Sequence, residues 1–421
     1  MYSPDFSLAT INSILILFFV MVSCSWVGLL LTHLRSAICA KSIITYKRGT
    51  LERNIPPVSV IVPARNEMRY LRRCLVSILS QNYPNFEVIV VDDCSEDDTA
   101  KIARSIHDGR LKVINLKETP AGWSGKSWAS QVGYLASAGE LLLFTDADSF
   151  FYNKESISRA VSFVQREQAD VATGLPLIEL PDVCSKLVMP IYNLFSILSA
   201  PRASNLSDTG SKKGHLIGSF FIIKKKLLEK IGGFHVVQDS IQEDTDLGNY
   251  IKKQGYPLRS IKVSDSVAAL WSRDMGTLVE GIRRIVSYQL SSDKKNLFFD
   301  IFMIFSMVML PFILLPYSLY LSESEGNWTI LIWNILLCLL PCLAVSIIGA
   351  IRHRLNFLYS LFVLFGSSFL LTLYLANLVS LVSLPISQIV RWKGRKYVQS
   401  RASSMIFNRW PKRYTNRADR I

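Results

Sequence analysis

The sequence predicts an α/β domain built on a parallel sheet and flanked by apolar segments that are long enough to cross a membrane. Between about residues 55 and 270, strand-like apolar runs alternate with helix-like segments, which is typical of a parallel sheet with right-handed crossovers. Acidic residues directly follow two of these runs. Half of the 421 residues are apolar and the mean hydropathy is +0.27, which indicates membrane segments.

The first element is an apolar segment from Ile11 to Leu31 that carries no charge. It is long enough to span a bilayer. Only Asp5 precedes it, whereas Arg35 and Lys41 follow it, so the positive-inside rule places the N-terminus outside and the chain that follows in the cytoplasm. A secretory signal would need a basic start and a small-residue cleavage site, and this segment has neither. We therefore expect a retained anchor over residues 1–40.

The α/β region, which we place at residues 55–270, begins with four strand-like runs. Helical spacing follows each of the first three runs, near Leu71, near Thr99 and from Lys126 to Ala138. The runs are Val58–Val62, Glu87–Val91, Leu111–Leu116 and Leu141–Thr145. The fourth is continuously apolar, as expected of a strand buried on both faces.

Two aspartates, Asp146 and Asp148, follow the fourth run, and Asp92 and Asp93 follow the second. In open α/β sheets, ligands bind in the crevice at the carboxyl ends of the strands. Carboxylates one residue apart suit a hard divalent cation, and Mg²⁺ is usually held by one or two carboxylates plus substrate phosphates. The pattern therefore favours a Mg²⁺ or Mn²⁺ site for a phosphorylated substrate, and the alternative is a helix cap with a solvated turn.

The segment Gly122–Ser127 resembles a phosphate-binding P-loop, but Pro120 stands where the first glycine of that motif belongs. Proline lacks the backbone N–H that such a loop needs. A P-loop NTPase is therefore disfavoured. Lys126, at the predicted start of a helix, could still contact a phosphate or the nucleotide.

An acidic cluster lies further along, where Glu243, Asp244 and Asp246 fall within four residues at the start of a helical pattern. Acids in a first helical turn are favoured by the helix dipole alone. One of these carboxylates could instead act as a general base. The residues by themselves leave both interpretations open.

The C-terminal part contains a basic amphipathic segment, Met275–Leu290, with Arg283 and Arg284 between its apolar residues. Such a segment fits a helix on the membrane surface, or equally a packed core helix. We assign it to residues 271–296. Three apolar runs follow at residues 297–321, 328–351 and 357–384, and we expect membrane helices over 297–390.

A basic tail, residues 391–421, carries ten Lys or Arg against one acid. Counted with the anchor, the three apolar runs make four spans, which would put this tail outside against the positive-inside rule. We therefore expect one apolar segment to lie at the interface or to re-enter, and the tail to be cytoplasmic.

Together these motifs resemble family 2 of the inverting glycosyltransferases, which have the GT-A fold. The resemblance covers residues 55–250. It implies a Rossmann-like nucleotide-sugar-binding domain, here with an N-terminal transmembrane anchor and a C-terminal helical membrane bundle. The anchor, the bundle and the Gly122–Ser127 element are closer to the enzymes that make hopanoid and carotenoid glycolipids. The motifs, in order, are Val58–Glu67, Val90–Ser95, Thr145–Asp148, Gly232–Phe234 and Glu243–Asp244.

The resemblance implies a role for each matching position. Asp146 and Asp148 would hold the metal and the donor diphosphate, and Asp244, beside Glu243, would be the general base on an acceptor hydroxyl. The implied partners are a UDP-sugar, a lipid acceptor and the membrane, without nucleic acid. The residues implied in donor binding are Pro63, Glu67, Asp92, Asp93, Lys126 and Asp146.

The sequence lacks the Q-x-x-R-W motif that many polysaccharide synthases of this family carry. Four residues could stand in for it at the diphosphate or the acceptor, namely Arg283, Arg284, Trp392 and Arg395. We favour a membrane-surface role for them, since basic residues next to apolar segments bind anionic lipid. A transferase that makes longer glycans, or a non-catalytic membrane scaffold, are the alternatives to a lipid glycosyltransferase at the cell membrane.

Overall fold

The computed structural model describes residues 8–39, 41–46, 55–199, 213–292, 294–326, 328–382, 388–393 and 395–399. A seven-stranded sheet with helices on both faces forms an α/β unit, and long apolar helices pack together beside it. Part of the predicted anchor and most of the predicted basic tail lie outside the described residues.

The large sheet has the strand order β3-β2-β1-β4-β8-β6-β9. The first four strands of the chain pair in parallel as predicted, and β1 lies between β2 and β4. The strands are β1 (Val58–Ala64), β2 (Phe86–Asp92), β3 (Leu111–Asn115), β4 (Leu141–Phe144), β6 (Val171–Leu175), β8 (Phe221–Lys224) and β9 (Arg259–Lys262).

One expectation was incomplete, because the sheet is mixed rather than wholly parallel. Strand β8 runs antiparallel to both β4 and β6, with Phe221 opposite Phe144 and Lys224 opposite Leu141. The chain enters β8 at the carboxyl end of β4, where the Thr145 hydroxyl donates to the Ser219 carbonyl at 2.8 Å. A strand that starts at that end must run back against its neighbour. Local sequence carries no signal for this long-range return.

Helices cover both faces of the sheet, which explains the continuous apolar strands. Val60 packs in the cluster formed with α2 and α5, whereas Ile61 packs with α4, α7 and α8 on the opposite face. The helices are α2 (Leu71–Leu79), α3 (Thr99–Arg104), α4 (Gly125–Leu135), α5 (Ser156–Arg166), α7 (Lys225–Lys230) and α8 (Glu243–Lys253).

A second, three-stranded sheet continues directly from the end of β4. Its order is β5-β10-β7, with β10 antiparallel to β5 and parallel to β7. Its strands are β5 (Ser149–Phe151), β7 (Leu177–Glu179) and β10 (Val267–Leu270). This small sheet therefore joins the strand that carries Asp146 and Asp148 to the helical part.

The remaining helices include four that are long and apolar enough to span a membrane, at Thr10–Ser36, Lys294–Glu325, Trp328–His353 and Phe357–Val379. They share a buried cluster that contains Phe19, Trp26 and Leu370. The helices of this part are α1 (Leu8–Cys39), α6 (Val183–Ser199), α9 (Met275–Ser292), α10 (Lys294–Ile304), α11 (Leu310–Glu325), α12 (Trp328–His353) and α13 (Val363–Val382).

Hydrogen bonds near the ends of α1, α11 and α12 show which ends of these helices lie beside the α/β unit. The Asn12 amide donates to the Glu325 carboxylate at 3.2 Å, so α1 begins where α11 ends. At the opposite end, His33 contacts the Leu194 carbonyl at 2.8 Å. There His353 contacts the Ile178 carbonyl of β7 at 3.1 Å. Helices α1 and α12 therefore end beside the α/β unit, and α11 ends away from it.

Helix α13 differs from the other long helices in what it packs against. It lies mainly on α6 and α9 and touches α12 much less. At Gly366 the helices are so close that a Cβ would meet the Leu187 carbonyl oxygen of α6 at 2.4 Å. A hairpin of β11 (Gln388–Trp392) and β12 (Arg395–Gln399) follows α13.

Candidate active site

Acidic residues from three neighbouring strands meet at one edge of the large sheet. Glu67 follows β1, Asp92 and Asp93 lie at the end of β2, and Asp146 and Asp148 follow β4. Glu67 is only 1% exposed, and Asp92 and Asp93 are buried as well. The edge is therefore the carboxyl-end crevice in which open α/β sheets bind ligands.

Lys126 joins this edge to helix α8. Its Nζ lies 2.8 Å from Asp146 Oδ1 and 2.8 Å from Glu243 Oε1. Its position is set by the start of α4, where the Ser124 hydroxyl accepts a hydrogen bond from the Ser127 N–H as an N-cap. The P-loop-like segment thus presents its lysine to two carboxylates.

Burial and charge pairing oppose each other in this cluster. Burial by itself would lower the pKa of Lys126, but Asp146 and Glu243 raise that pKa well above its usual value. Burial tends to raise the pKa of Asp146, and the Lys126 ammonium nevertheless holds that pKa below its ordinary value. Burial raises the pKa of Glu243, which Lys126 only partly opposes. Lys126 is therefore a fixed positive charge at the centre of the site.

Asp244 is held by backbone groups rather than by a cation. Its Oδ2 accepts from the Gly218 N–H at 2.9 Å and its Oδ1 accepts from the Thr245 N–H at 2.7 Å. A Cβ at Gly218 would lie 2.8 Å from Lys126 Nζ, 3.0 Å from Asp244 Oδ2 and 3.5 Å from Asp146 Oδ2. Lysine and both aspartates therefore converge on a position that only glycine leaves open. Gly218 carries no local sequence signal that would have predicted this role.

Arg273 contacts Asp148, the second of the two aspartates that follow β4. Its guanidinium contacts the Glu67 carboxylate and lies 3.2 Å from Asp148 Oδ2. Burial and the neighbouring Glu67 carboxylate raise the pKa of Asp148 to about 6. Sequence analysis did not single out Arg273, which lies just after the segment that forms β10 and is brought to the site by the small sheet.

The C-terminal hairpin supplies two more cations. Lys393 contacts the Glu67 carboxylate, and Arg395 Nη1 lies 2.6 and 2.8 Å from the two Asp93 oxygens. The Lys393 carbonyl accepts from Arg65 Nε at 3.0 Å, which ties the hairpin to the end of β1. Arg395 therefore contacts a predicted donor-binding residue, rather than only the membrane surface as we had favoured.

Gly125 lies between this ion pair and α4. A Cβ there would lie 2.1 Å from Asp93 Oδ2 and 2.2 Å from Arg395 Nη1. The first glycine of α4 is thus required for the hairpin to approach the end of β2.

The other predicted site residues take no part in the ion pairs that link Lys126 to its carboxylates. Pro63 pairs with Val91 inside the sheet. Asp92 Oδ2 accepts from the Ser95 N–H at 3.3 Å, and its buried Oδ1 has no hydrogen-bond partner among the described residues. Arg284 is near enough to contribute to the lowered pKa of Asp146. Arg283 lies beside it on α9, and the Trp392 side chain is outside the described atoms.

The donor set at the end of β4 fits a divalent cation. Asp146 and Asp148 offer carboxylate oxygens, and the buried Glu67 Oε2 has no hydrogen-bond partner in the described part of the chain. Within the described ranges no three His, Cys, Asp or Glu side chains form a complete ligand set. A metal held by Asp146 and Asp148 would therefore need phosphate oxygens and water to complete its shell.

Comparison with known proteins identifies the sheet region. Residues 59–232 match the family model described as "Glycosyl transferase family 2". This segment is a family 2 glycosyltransferase domain. The match confirms the resemblance, the α/β fold class and the glycosyltransferase class predicted from the sequence.

The glycosyltransferase domain also has curated relatives. The 4,4'-diaponeurosporenoate glycosyltransferase of Staphylococcus aureus strain USA300 is 29% identical over 215 residues, which are 50% of this chain and 56% of that protein. The corresponding protein of the bovine strain RF122 is 28% identical over the same length. The chain thus matches little more than half the length of these relatives.

Solved structures are also similar to this chain. The mannosyltransferase PcManGT from Pyrobaculum calidifontis, in complex with GDP-Man and Mn²⁺, is 18% identical with a TM-score of 0.47, covering 87% of this chain and 99% of that one. The S. aureus TarS 1–349 complex with UDP-GlcNAc is 20% identical with a TM-score of 0.36, covering 82% and 96%.

The close approach at Gly218 gives a first prediction. In Gly218→Ala the added methyl would push Lys126 away from Asp244, and overpacking of this kind costs about 1–3 kcal/mol. We expect nucleotide binding, measured by calorimetry, to weaken about tenfold or more, since 1.4 kcal/mol corresponds to about a factor of ten. Gly109→Ala is the matched control, because a Cβ there meets nothing within 4 Å. Equal affinities in the two variants would contradict the assignment.

The hairpin contact gives a second prediction. Arg395→Gln leaves Asp93 as a buried carboxylate without its cation, which is costly. We expect UDP affinity to fall about tenfold, and Arg395→Lys to recover only part of it because a single ammonium cannot replace the planar guanidinium. Tighter UDP binding in Arg395→Gln would show instead that the hairpin obstructs the donor site.

Proposed function

We propose that this protein is a membrane-bound inverting glycosyltransferase that moves a sugar from a nucleotide-sugar donor, a UDP-sugar, to the hydroxyl of a lipid acceptor. The observation that carries the proposal is the convergence of Lys126, Asp146 and Asp244 on Gly218. Lys126, Asp146 and Gly218 belong to the segment that matches the family, and Asp244 lies twelve residues beyond it. The relatives named above act on a carotenoid acid, and the similar TarS structure holds a UDP-sugar. These names support the donor and acceptor classes proposed.

Asp244 is the proposed general base. Its two carboxylate oxygens are oriented by the Gly218 and Thr245 N–H groups. An acceptor hydroxyl placed against Asp244 would lose its proton as its oxygen attacks the anomeric carbon from the face opposite the nucleotide. A single displacement of this kind inverts the anomeric configuration and needs no covalent nucleophile.

Cations around the donor acids would stabilise the leaving diphosphate. Lys126, Arg273, Lys393 and Arg395 each neutralise a carboxylate at the sheet edge. A bound nucleotide diphosphate brings new negative charge to the same place, where positioned cations stabilise charge that develops on the leaving group. Asp146 and Asp148 would hold the cation, and Mg²⁺ or Mn²⁺ there would act as a Lewis acid on the diphosphate.

The base assignment is tested with Asp244→Asn. We expect the transfer rate to fall about 100-fold or more, in the range of general-base catalysis, while UDP binding by calorimetry stays close to the native value. Asp170→Asn, a surface aspartate paired with Lys224, is the control. The readout is mass spectrometry of lipid extracts from cells with and without the intact protein, in which an acceptor gains the mass of one sugar.

Other outcomes separate the alternative functions. Native transfer by Asp244→Asn would exclude it as the base. A ladder of longer products would favour a glycan synthase. A native protein that binds no UDP-sugar would be the non-catalytic scaffold.

The metal site is tested by chelation. Removing divalent cations should weaken UDP binding several-fold, with recovery on addition of Mg²⁺ or Mn²⁺, because the cation neutralises diphosphate and carboxylates together. In Asp148→Asn this dependence should be largely lost, and Asp170→Asn should retain it. UDP binding that is indifferent to chelator in the native protein would exclude a metal role.

Within this proposal, three helices span the membrane and α13 lies along its surface. α1 and α12 end at the α/β unit and α11 ends at the far side, so three spans return the chain to the side of the catalytic domain. α13 begins near that side, ten residues after His353. Lys393 and Arg395 of the hairpin, eleven and thirteen residues after Val382, contact Glu67 and Asp93.

Packing supports this arrangement, because α13 lies mainly on α6 and α9 and Tyr288 of α9 donates to Asp246 of the α/β unit. We therefore infer that both ends of α13 lie on the side of the catalytic domain. Three spans would remove the conflict between four spans and a cytoplasmic basic tail, and under the positive-inside rule the catalytic domain would then be cytoplasmic.

The topology predicts a labelling pattern in intact cells. In a cysteine-free background, Gly326→Cys after α11 should react with a membrane-impermeant maleimide added outside. Asn356→Cys after α12 and a cysteine appended to Ile421 should react only after permeabilisation. External labelling at the C-terminal cysteine would mean that α13 spans the membrane.

A further inference from the structure

A groove of about 570 Å³ lies between α2 and β5, apart from the acids of the active site. Its floor is apolar, with Phe150 and Phe151 from β5. Its rim is cationic, with Arg69, Arg72, Arg73 and Lys154. An apolar floor under a cationic rim is complementary to an anionic amphiphile, whose polar head and apolar body need these two surfaces.

Most of the positive charge of the rim is not neutralised within the described structure. Arg73 pairs with Glu179 at 3.2 Å and lies over the Phe150 ring at 4.0 Å. Arg72 donates only to the Ser105 hydroxyl, at 3.2 Å. Arg69 and Lys154 are exposed and have no acidic partner among the described residues. Three of four cations thus face the groove or solvent without a carboxylate.

The groove lies at the end of a proposed membrane span. Tyr152 lines it, and the Arg354 guanidinium lies 5.7 Å from the Tyr152 ring. Arg354 directly follows His353, the last residue of α12. Phe357 and Leu358 follow after two further residues and are 62% and 50% exposed. Exposed apolar side chains immediately beyond a span belong in the membrane interface, at the depth of the phospholipid headgroups.

We propose that this groove binds the headgroup of an anionic phospholipid from the leaflet that faces the catalytic domain. Arg69, Arg72 and Lys154 contact the phosphate, and the glycerol and upper acyl carbons lie on Phe150. A zwitterionic headgroup is disfavoured because its own ammonium would face the same cations. This inference rests on the membrane topology proposed above, and it concerns a site separate from sugar transfer.

A bound headgroup would act on the orientation of the catalytic domain. The groove includes the start of α2, and the adjacent Tyr70 ring lies 5.0 Å from the Arg273 guanidinium that binds Asp148. Anchoring α2 to the leaflet therefore holds the donor edge of the sheet at a fixed height above the bilayer.

The test uses the full-length protein in mixed micelles that contain equal amounts of phosphatidylglycerol and phosphatidylcholine. Native mass spectrometry counts the phospholipids that each variant retains. The test variant is Arg69→Gln/Arg72→Gln/Lys154→Gln. The control is Lys101→Gln/Lys112→Gln/Lys226→Gln, which removes the same charge from exposed lysines that do not line the groove. Lys112 lies in β3, an outer strand of the large sheet, and Lys101 lies in the preceding helix α3. The outer strand on the other side is β9, which contacts the segment after α1 where the Lys262 N–H donates to the Lys41 carbonyl.

We expect the native protein and the control to retain phosphatidylglycerol over phosphatidylcholine, and the test variant to lose this preference at least fivefold. Equal preference in all three proteins would overturn the proposal, because the lipid would then be held elsewhere. Equal loss in test and control would also overturn it, since only total charge would matter. UDP binding, expected to be native in all three, keeps this result independent of the transfer reaction and reports folding.

Discussion

The site depends on one partly buried cation, Lys126, which lies between carboxylates that come from separate parts of the chain. Asp146 ends a strand of the large sheet and Glu243 begins a helix about a hundred residues later. Without the lysine these acids could not remain charged side by side at partial burial, because burial and mutual repulsion both favour protonation. The ion pairs thus fix α4, β4 and α8 relative to one another, and they place Asp244 beside the diphosphate acids.

The same charge balance links the glycosyltransferase domain to the C-terminal part of the protein. Glu67, Asp93 and Asp148 are neutralised by Arg273, Lys393 and Arg395, all of which lie beyond the segment that matches the family. The carboxyl ends of the strands supply the negative charge, and the C-terminal elements supply the positive charge. Glu67 and Asp93 therefore have their cationic partners Lys393 and Arg395 only when the hairpin after α13 returns to the domain.

Much of the site could be predicted from the sequence because its acids follow apolar strands. Periodicity located β1, β2, β3 and β4, and the parallel pairing of these strands brings Asp93 and Asp146 to one edge. The partners of these acids could not be predicted in the same way. Arg395 lies about three hundred residues from Asp93, and no local pattern encodes that contact. The need for glycine at position 218 likewise arises only from side chains of three other segments, those of Lys126, Asp146 and Asp244.

Helix α9 connects the α/β unit to α13. The Tyr288 hydroxyl donates to Asp246 at 2.7 Å, which fastens α9 to the helix that carries Asp244. On its other side α9 packs on α13, whose Phe365 and Val379 side chains are 59% and 63% exposed. Apolar exposure of this kind is stable in lipid and costly in water. A surface helix that is embedded in the leaflet and connected through α9 to the base would let a lipid hydroxyl reach Asp244 without leaving the bilayer.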